Sequence, residues 1–165
     1  MWIRILDLRD AMETTEILEI LQLLRAGEQI DALARFDSRG LLVEIANLAR
    51  AEDRMAAAAR VRQFGLTSAV DAFEFHSRIF GHTRWECTRE RDGIIATAWT
   101  CKLCAIARAR GTAAPCAFCC TDPLAALCAA LPSPVFLNVA STLWSAGHCR
   151  LLLTPIDPNI AKDQP

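Results

Sequence analysis

The sequence predicts an α+β fold: N-terminal helices followed by an antiparallel sheet with a cysteine-rich helical insertion. Three observations carry this. Up to about residue 80, apolar residues recur at helical spacing. At Gly81 that spacing gives way to short alternating stretches with a turn signal at Arg91-Asp92-Gly93. Next comes WTCKLCAIARARGTAAPCAFCCTDPL, an Ala-rich stretch carrying five of the eight cysteines. A run of helices followed by a run of strands is the pattern of an α+β domain.

In chain order, TTEILEILQLLRA (14–26) places Ile17, Ile20, Leu21 and Leu24 on one helical face, and Gly27 is expected to end it. A second helix is expected from about Leu41 to Gln63, with Ala57, Ala58 and Ala59 suited to close packing and Gly65 as C-terminal cap. In LTSAVDAFEFHSRIFG, Ser68 and Asp71 make a capping-box start, and Phe73, His76 and Phe80 fall near one face. HTRWECTRERDGIIATAW then reads as two strands and a turn. Helical segments flank Gly111-Thr112, and Asp122-Pro123 reads as a helix start, with the carboxylate at the N-cap and proline at the first position. VFLNVASTLW and HCRLLL read as a closing hairpin around Ser145-Ala146-Gly147. A single domain over 1–154 follows, with 1–40 as a helical extension and the polar, proline-rich 155–165 as a mobile tail.

At 165 residues and 53% hydrophobic content the chain can bury one core. Net charge is −1 with the signs interspersed, so no basic stripe invites nucleic acid. No apolar run reaches membrane-spanning length, and the opening MWIRILDLRD, with charges every few residues, is unlike a signal peptide. The expectation is a cytoplasmic protein with reduced thiols, acting on a small molecule, away from membranes; association of copies into a homo-oligomer stays open.

Cys101-x2-Cys104 and Cys116-x2-Cys119 have paired-knuckle spacing for zinc. Against a purely structural knuckle, eleven residues separate the pairs and the flanks are Ala, Leu, Ile and Phe rather than turn formers. Cys128, in LAALCAAL, and Cys87, near Trp85, read as ordinary packed cysteines. Cys101, Cys119 and Cys149 each sit where an element begins or ends, positions from which side chains converge on a pocket. His148 reads as a turn residue, His76 as partly buried on its helix, and His82 has no motif around it.

Thr100-Cys101, Gly111, Cys119-x-x-Asp122 and the closing STLWSAGHCRLLL, with Thr142, Gly147 and Cys149, together resemble the L-2-amino-thiazoline-4-carboxylic acid hydrolase family. The resemblance spans roughly residues 40 to 153. The turn departs from the family pattern, because His148 follows Gly147 directly. A broader likeness is to the 4-vinyl reductase-like small-molecule-binding domains, which use cysteines near such a turn to hold zinc.

The resemblance implies hydrolytic opening of a C=N or C–N bond in a small heterocycle, in a biosynthetic setting. Two chemistries are open. In one, Cys119 attacks as a thiolate favoured by the N-terminus of a helix over 123–131, Asp122 orients water or takes a proton, and Cys120 faces elsewhere. In the other, Cys101, Cys119 and Cys149 hold zinc with an open fourth position for water. The cofactor is therefore none or zinc. Cys101 and Cys149 are catalytic candidates with Cys119 and Asp122, while Thr142, His148 and Trp99 are candidates for contact with substrate. The alternative is a non-catalytic binding or sensor domain with a structural zinc.

Overall fold

The computed structural model describes residues 14–156; the first thirteen residues and the expected tail beyond Ile156 lie outside them. The fold is α+β: among the described residues there are five α-helices and a four-stranded antiparallel sheet of order β1-β2-β4-β3.

Helix α1 runs Thr14–Asp37, through Gly27 rather than stopping there. The buried stripe explains the difference. Ala26, Ile30 and Leu33 are its buried residues, and they lie at or beyond the expected end, whereas Ile20, Leu21 and Leu24 remain exposed. Tertiary packing outweighs the small helix penalty of one glycine. The Gly27 carbonyl accepts a hydrogen bond from Arg110 Nη1 at 3.2 Å, and the same guanidinium pairs with Asp31.

Helix α2 (Leu42–Phe64) ends at Gly65, whose φ of 63° is left-handed and suits a residue without Cβ. Of Ala57, Ala58 and Ala59, expected to pack closely, only Ala57 is buried. Helix α3 (Ala69–Phe80) starts with the full capping box: Ser68 Oγ accepts from Asp71 N–H, and the Asp71 carboxylate accepts from Ser68 N–H.

Strands β1 (Glu86–Glu90) and β2 (Gly93–Ala98) form the expected hairpin, with Glu90 opposite Gly93. A Cβ on Gly93 would lie 2.0 Å from the Leu153 carbonyl oxygen, so glycine lets β2 approach β4 (Cys149–Pro155) there. Strand β3 (Val135–Ser141) pairs with the other edge of β4, with a bulge between Val139 and Ser141.

Helix α4 (Lys102–Ala109) and helix α5 (Asp122–Ala129) make the insertion between β2 and β3. The α-helix begins at Asp122 with Pro123 in its first turn, as expected, but the expected carboxylate N-cap is corrected here. Cys116 and Asp122 have ordinary helical φ and ψ, Ala117–Thr121 form a π-helical turn, and the backbone runs unbroken into α5. Pro123 has no N–H for the Cys119 carbonyl four residues back, and the wider turn accommodates that missing bond. Asp122 therefore caps nothing.

Helix α5 lies across the sheet. Leu124, Leu127, Cys128 and Leu131 pack with Ala96, Leu137, Leu151 and Leu153, and with Val61 and Phe73 from the front helices. A second, smaller cluster joins α1 to the insertion through Ala26, Ile30, Leu103, Ala107 and Cys119. Among the described residues no helix is long and apolar enough to cross a membrane.

Candidate functional site

A small cavity forms where the insertion meets the end of the sheet. It is lined by Cys101, Cys104, Cys116, Cys120 and Cys149, with Thr83, Trp85, Thr121 and Thr142 among the remaining walls. Its volume of about 20 Å³ suits one water-sized group, far below the size of a substrate pocket.

Of the expected residues, Cys101, Cys149 and Thr142 meet here. Cys119 does not line the cavity: it turns into the smaller apolar cluster, and its neighbour Cys120 takes the inward place. Cys87 and Cys128 lie outside it. Asp122 faces a separate open cleft of about 380 Å³ between α2, α5 and β3, 3.5 Å from Arg50. Burial raises its pKa, opposed by Arg50. Trp99 and His148 stack on each other at 5.1 Å, with Trp99 largely exposed, and neither borders the cavity.

The thiols are ordered electrostatically. Cys104 lies between Cys101 and Cys116, with its Sγ 3.6 Å from that of Cys116. Its side-chain interactions with Cys101 and Cys116, together with burial, push the Cys104 thiol well up in pKa. The hydrogen bond from Cys104 lowers Cys116 to about 6, against desolvation and helped by the Thr142 hydroxyl and the Trp144 N–H. Cys101 is lowered to about 7, again mainly by Cys104, with the Leu103 and Cys104 N–H groups adding to the effect. Cys101 is the N-cap residue of α4, so those first-turn N–H groups face it, although none makes a strict capping bond.

The remaining cysteines behave oppositely. Burial pushes Cys119 up to about 12, raises Cys149, and raises Cys120 strongly. The Cys149 Sγ accepts from the Leu143 N–H at 3.1 Å. The β3–β4 loop closes over this end of the molecule, held by Arg108, which donates to the Leu143 and Trp144 carbonyls at 2.6 and 3.0 Å and lies over the Trp144 ring.

Beside the cavity stand two histidines that carried no recognisable spacing in the sequence. His76 is fully buried, not partly, and His82 is 3% exposed. Their rings meet edge to face at 4.9 Å, with Phe80 stacked 4.8 Å from His76. Both ring nitrogens of His76 and Nε2 of His82 lack a hydrogen-bond partner; the Cys119 carbonyl lies toward His76 without reaching hydrogen-bond geometry. Burial lowers His76 to about 3 and His82 to about 4, so both are neutral imidazoles near neutral pH. His76, His82 and Cys120 each offer a ligand atom within 4.8 Å of the others, a group that can hold a metal ion. Among the described residues no other His, Cys, Asp or Glu group is so close, and Cys101, Cys119 and Cys149 do not form one.

Trp85 is a further residue that sequence reasoning passed over. It lines the cavity, and its buried Nε1–H has no acceptor.

No family model, curated protein or solved structure matches the chain.

Proposed function

We propose that this chain is a small-molecule hydrolase that opens a C=N or C–N bond of a small sulfur- or nitrogen-containing heterocycle with a cysteine thiolate, in a biosynthetic pathway. The observation that carries the reading is the Cys104 thiol held between Cys101 and Cys116, which favours thiolate on its neighbours in a water-poor cavity. The resemblance to the thiazoline-carboxylate hydrolases supplies the substrate class. Cys101, rather than Cys119, is the nucleophile of this reading. Its sulfur adds to the electrophilic carbon, Cys104 returns a proton to the nitrogen, and the unpartnered Trp85 N–H stabilises the charge that develops. Breaking the C–N bond leaves a sulfur-bound adduct that water hydrolyses, restoring the thiol.

Entry of a ring-sized substrate requires the loop over residues 142–148 to move, because the cavity holds only a water-sized group. Eight free thiols suit a reducing, cytoplasmic setting. A second reading, a non-catalytic binding or sensor domain with structural zinc, is favoured by one observation, the closed cavity.

Turnover of a 2-aminothiazoline carboxylate separates the two. On the hydrolase reading, Cys101→Ser lowers kcat at least about 100-fold while Cys128→Ser leaves it within about twofold. Tight binding of the compound without turnover, or full activity in Cys101→Ser, would overturn it.

A further inference from the structure

We propose that His76, His82 and Cys120 form a binding site for one divalent late-transition ion, with zinc as the best match to two imidazoles and a thiolate. The site stands apart from the hydrolase reading and does not rest on it.

Three separate elements bring the ligands together. His76 projects from α3, whose start is fixed by the capping box. His82 lies just past the left-handed Gly81 that ends α3, and its carbonyl accepts the Lys102 N–H at 2.7 Å. The adjacent Thr83 hydroxyl donates to the Thr100 carbonyl at 2.6 Å, tying this segment to the start of α4. Cys120 is delivered by the π-helical turn ahead of Pro123.

The second observation is the unmet polarity. A neutral imidazole carries one donor and one acceptor, and burying either without a partner is unfavourable. Three such nitrogen atoms crowd this one spot. A shared cation satisfies lone pairs on both rings and the sulfur at once. Tetrahedral zinc sets ligand-to-ligand edges of roughly 3.4 to 3.7 Å, so ligand atoms lying within 4.8 Å of one another need to close by at most about 1.4 Å. Imidazole and thiolate donors suit zinc and exclude calcium or magnesium, which take oxygen. Cys120 also borders the thiol cavity, whose volume admits a water as fourth ligand.

The competing account is that the rings pack with Phe80 as an aromatic group and hold nothing. Elemental analysis of the full chain, incubated with zinc and then exchanged into metal-free buffer, decides between them. About one zinc per chain is expected, and no retained zinc would overturn the site. X-ray absorption at the zinc edge of the unmutated chain is expected to show two imidazoles and a single sulfur. A shell of three or four sulfurs would place the ion among the cavity thiols and overturn the assignment. With cobalt in place of zinc, the sulfur-to-metal charge-transfer band is expected to vanish in Cys120→Ser and persist in Cys116→Ser. The reverse result would also overturn it. Because the first two measurements need no variant, a misfolded Cys120→Ser leaves the proposal testable.

Discussion

The cavity thiols and the histidine pair share Cys120 and lie side by side, yet they handle buried polarity in opposite ways. In the first, interaction with Cys104 lowers Cys101 and Cys116, Thr142 and backbone N–H groups add to the effect, and two thiols become more acidic despite desolvation. In the second, desolvation has no such counterweight, and both imidazoles are driven to the neutral form. A network that supplies its own donors can carry charge and hence reactivity. One that lacks partners is held neutral, in the form that ligates a metal.

The largest separation between the two regions should appear in acid. Each histidine has a folded pKa of about 3 or 4 against an ordinary 6.5, so between those values the unfolded chain binds more protons. Stability therefore falls as pH drops from 6.5 toward 4, by up to about 1.4 kcal/mol per pH unit for each imidazole. Cys116, lowered from 9.0 to about 6, acts in a different window: its contribution is complete above 9 and is lost as pH falls through 6. Urea unfolding as a function of pH, with chelator present, should show His76→Leu flattening the acid limb by about half. Cys116→Ser should alter only the limb above about pH 6. One slope indifferent to both variants would erase the distinction.

Next in size is Gly93→Ala. A methyl 2.0 Å from the Leu153 carbonyl meets backbone that cannot turn aside, and the cost should be about 3 kcal/mol. Since the β2–β4 pairing ends at Ala98 and Cys149, beside the cavity, this variant should also speed alkylation of the cavity thiols. A lowered melting temperature with alkylation unchanged would mean that the cavity does not depend on the sheet register.

Smallest in stability but most specific is Cys104→Ala. Cys101 and Cys116 lose their shared donor, so the midpoint of alkylation rate against pH should rise from the range of about 6 to 7 toward the ordinary thiol value of about 8.5. The accompanying stability change should stay near about 1 kcal/mol. An unmoved midpoint would assign the acidity to the start of α4 alone.

Local chemistry made much of the fold legible. Ser68 with Asp71, Gly65 and the Arg91-Asp92-Gly93 turn each act over a few residues, and each appears where its pattern lies. Gly27 misled because a weak local preference was overruled by Ala26, Ile30 and Leu33 packing on the insertion. Asp122-Pro123 misled for a different reason. Proline suits the first turn of a helix, but it also fits a continuing helix that widens by one residue. That extra residue decides which of Cys119 and Cys120 faces inward, so the choice between neighbours had no basis without the backbone. His76 and His82 straddle a helix end, and their meeting depends on how the chain leaves Gly81. Phe80 between them, together with two histidines six residues apart, was the available signal.

The π-helical turn makes this molecule sensitive to a kind of change that substitution scanning does not sample. An α-helix advances 100° per residue, so shortening 117–121 by one residue turns everything on one side of it by that angle relative to the other. Cys120, Leu124, Leu127 and Cys128 are committed to the core on the sheet, which leaves Cys116 and the chain before it to swing. Loss of exposed Ala117 would remove almost no buried surface, yet it would carry the Cys116 sulfur away from Cys104. Among descendants of this sequence, the length of 116–122 should be guarded more strictly than the identity of its outward residues.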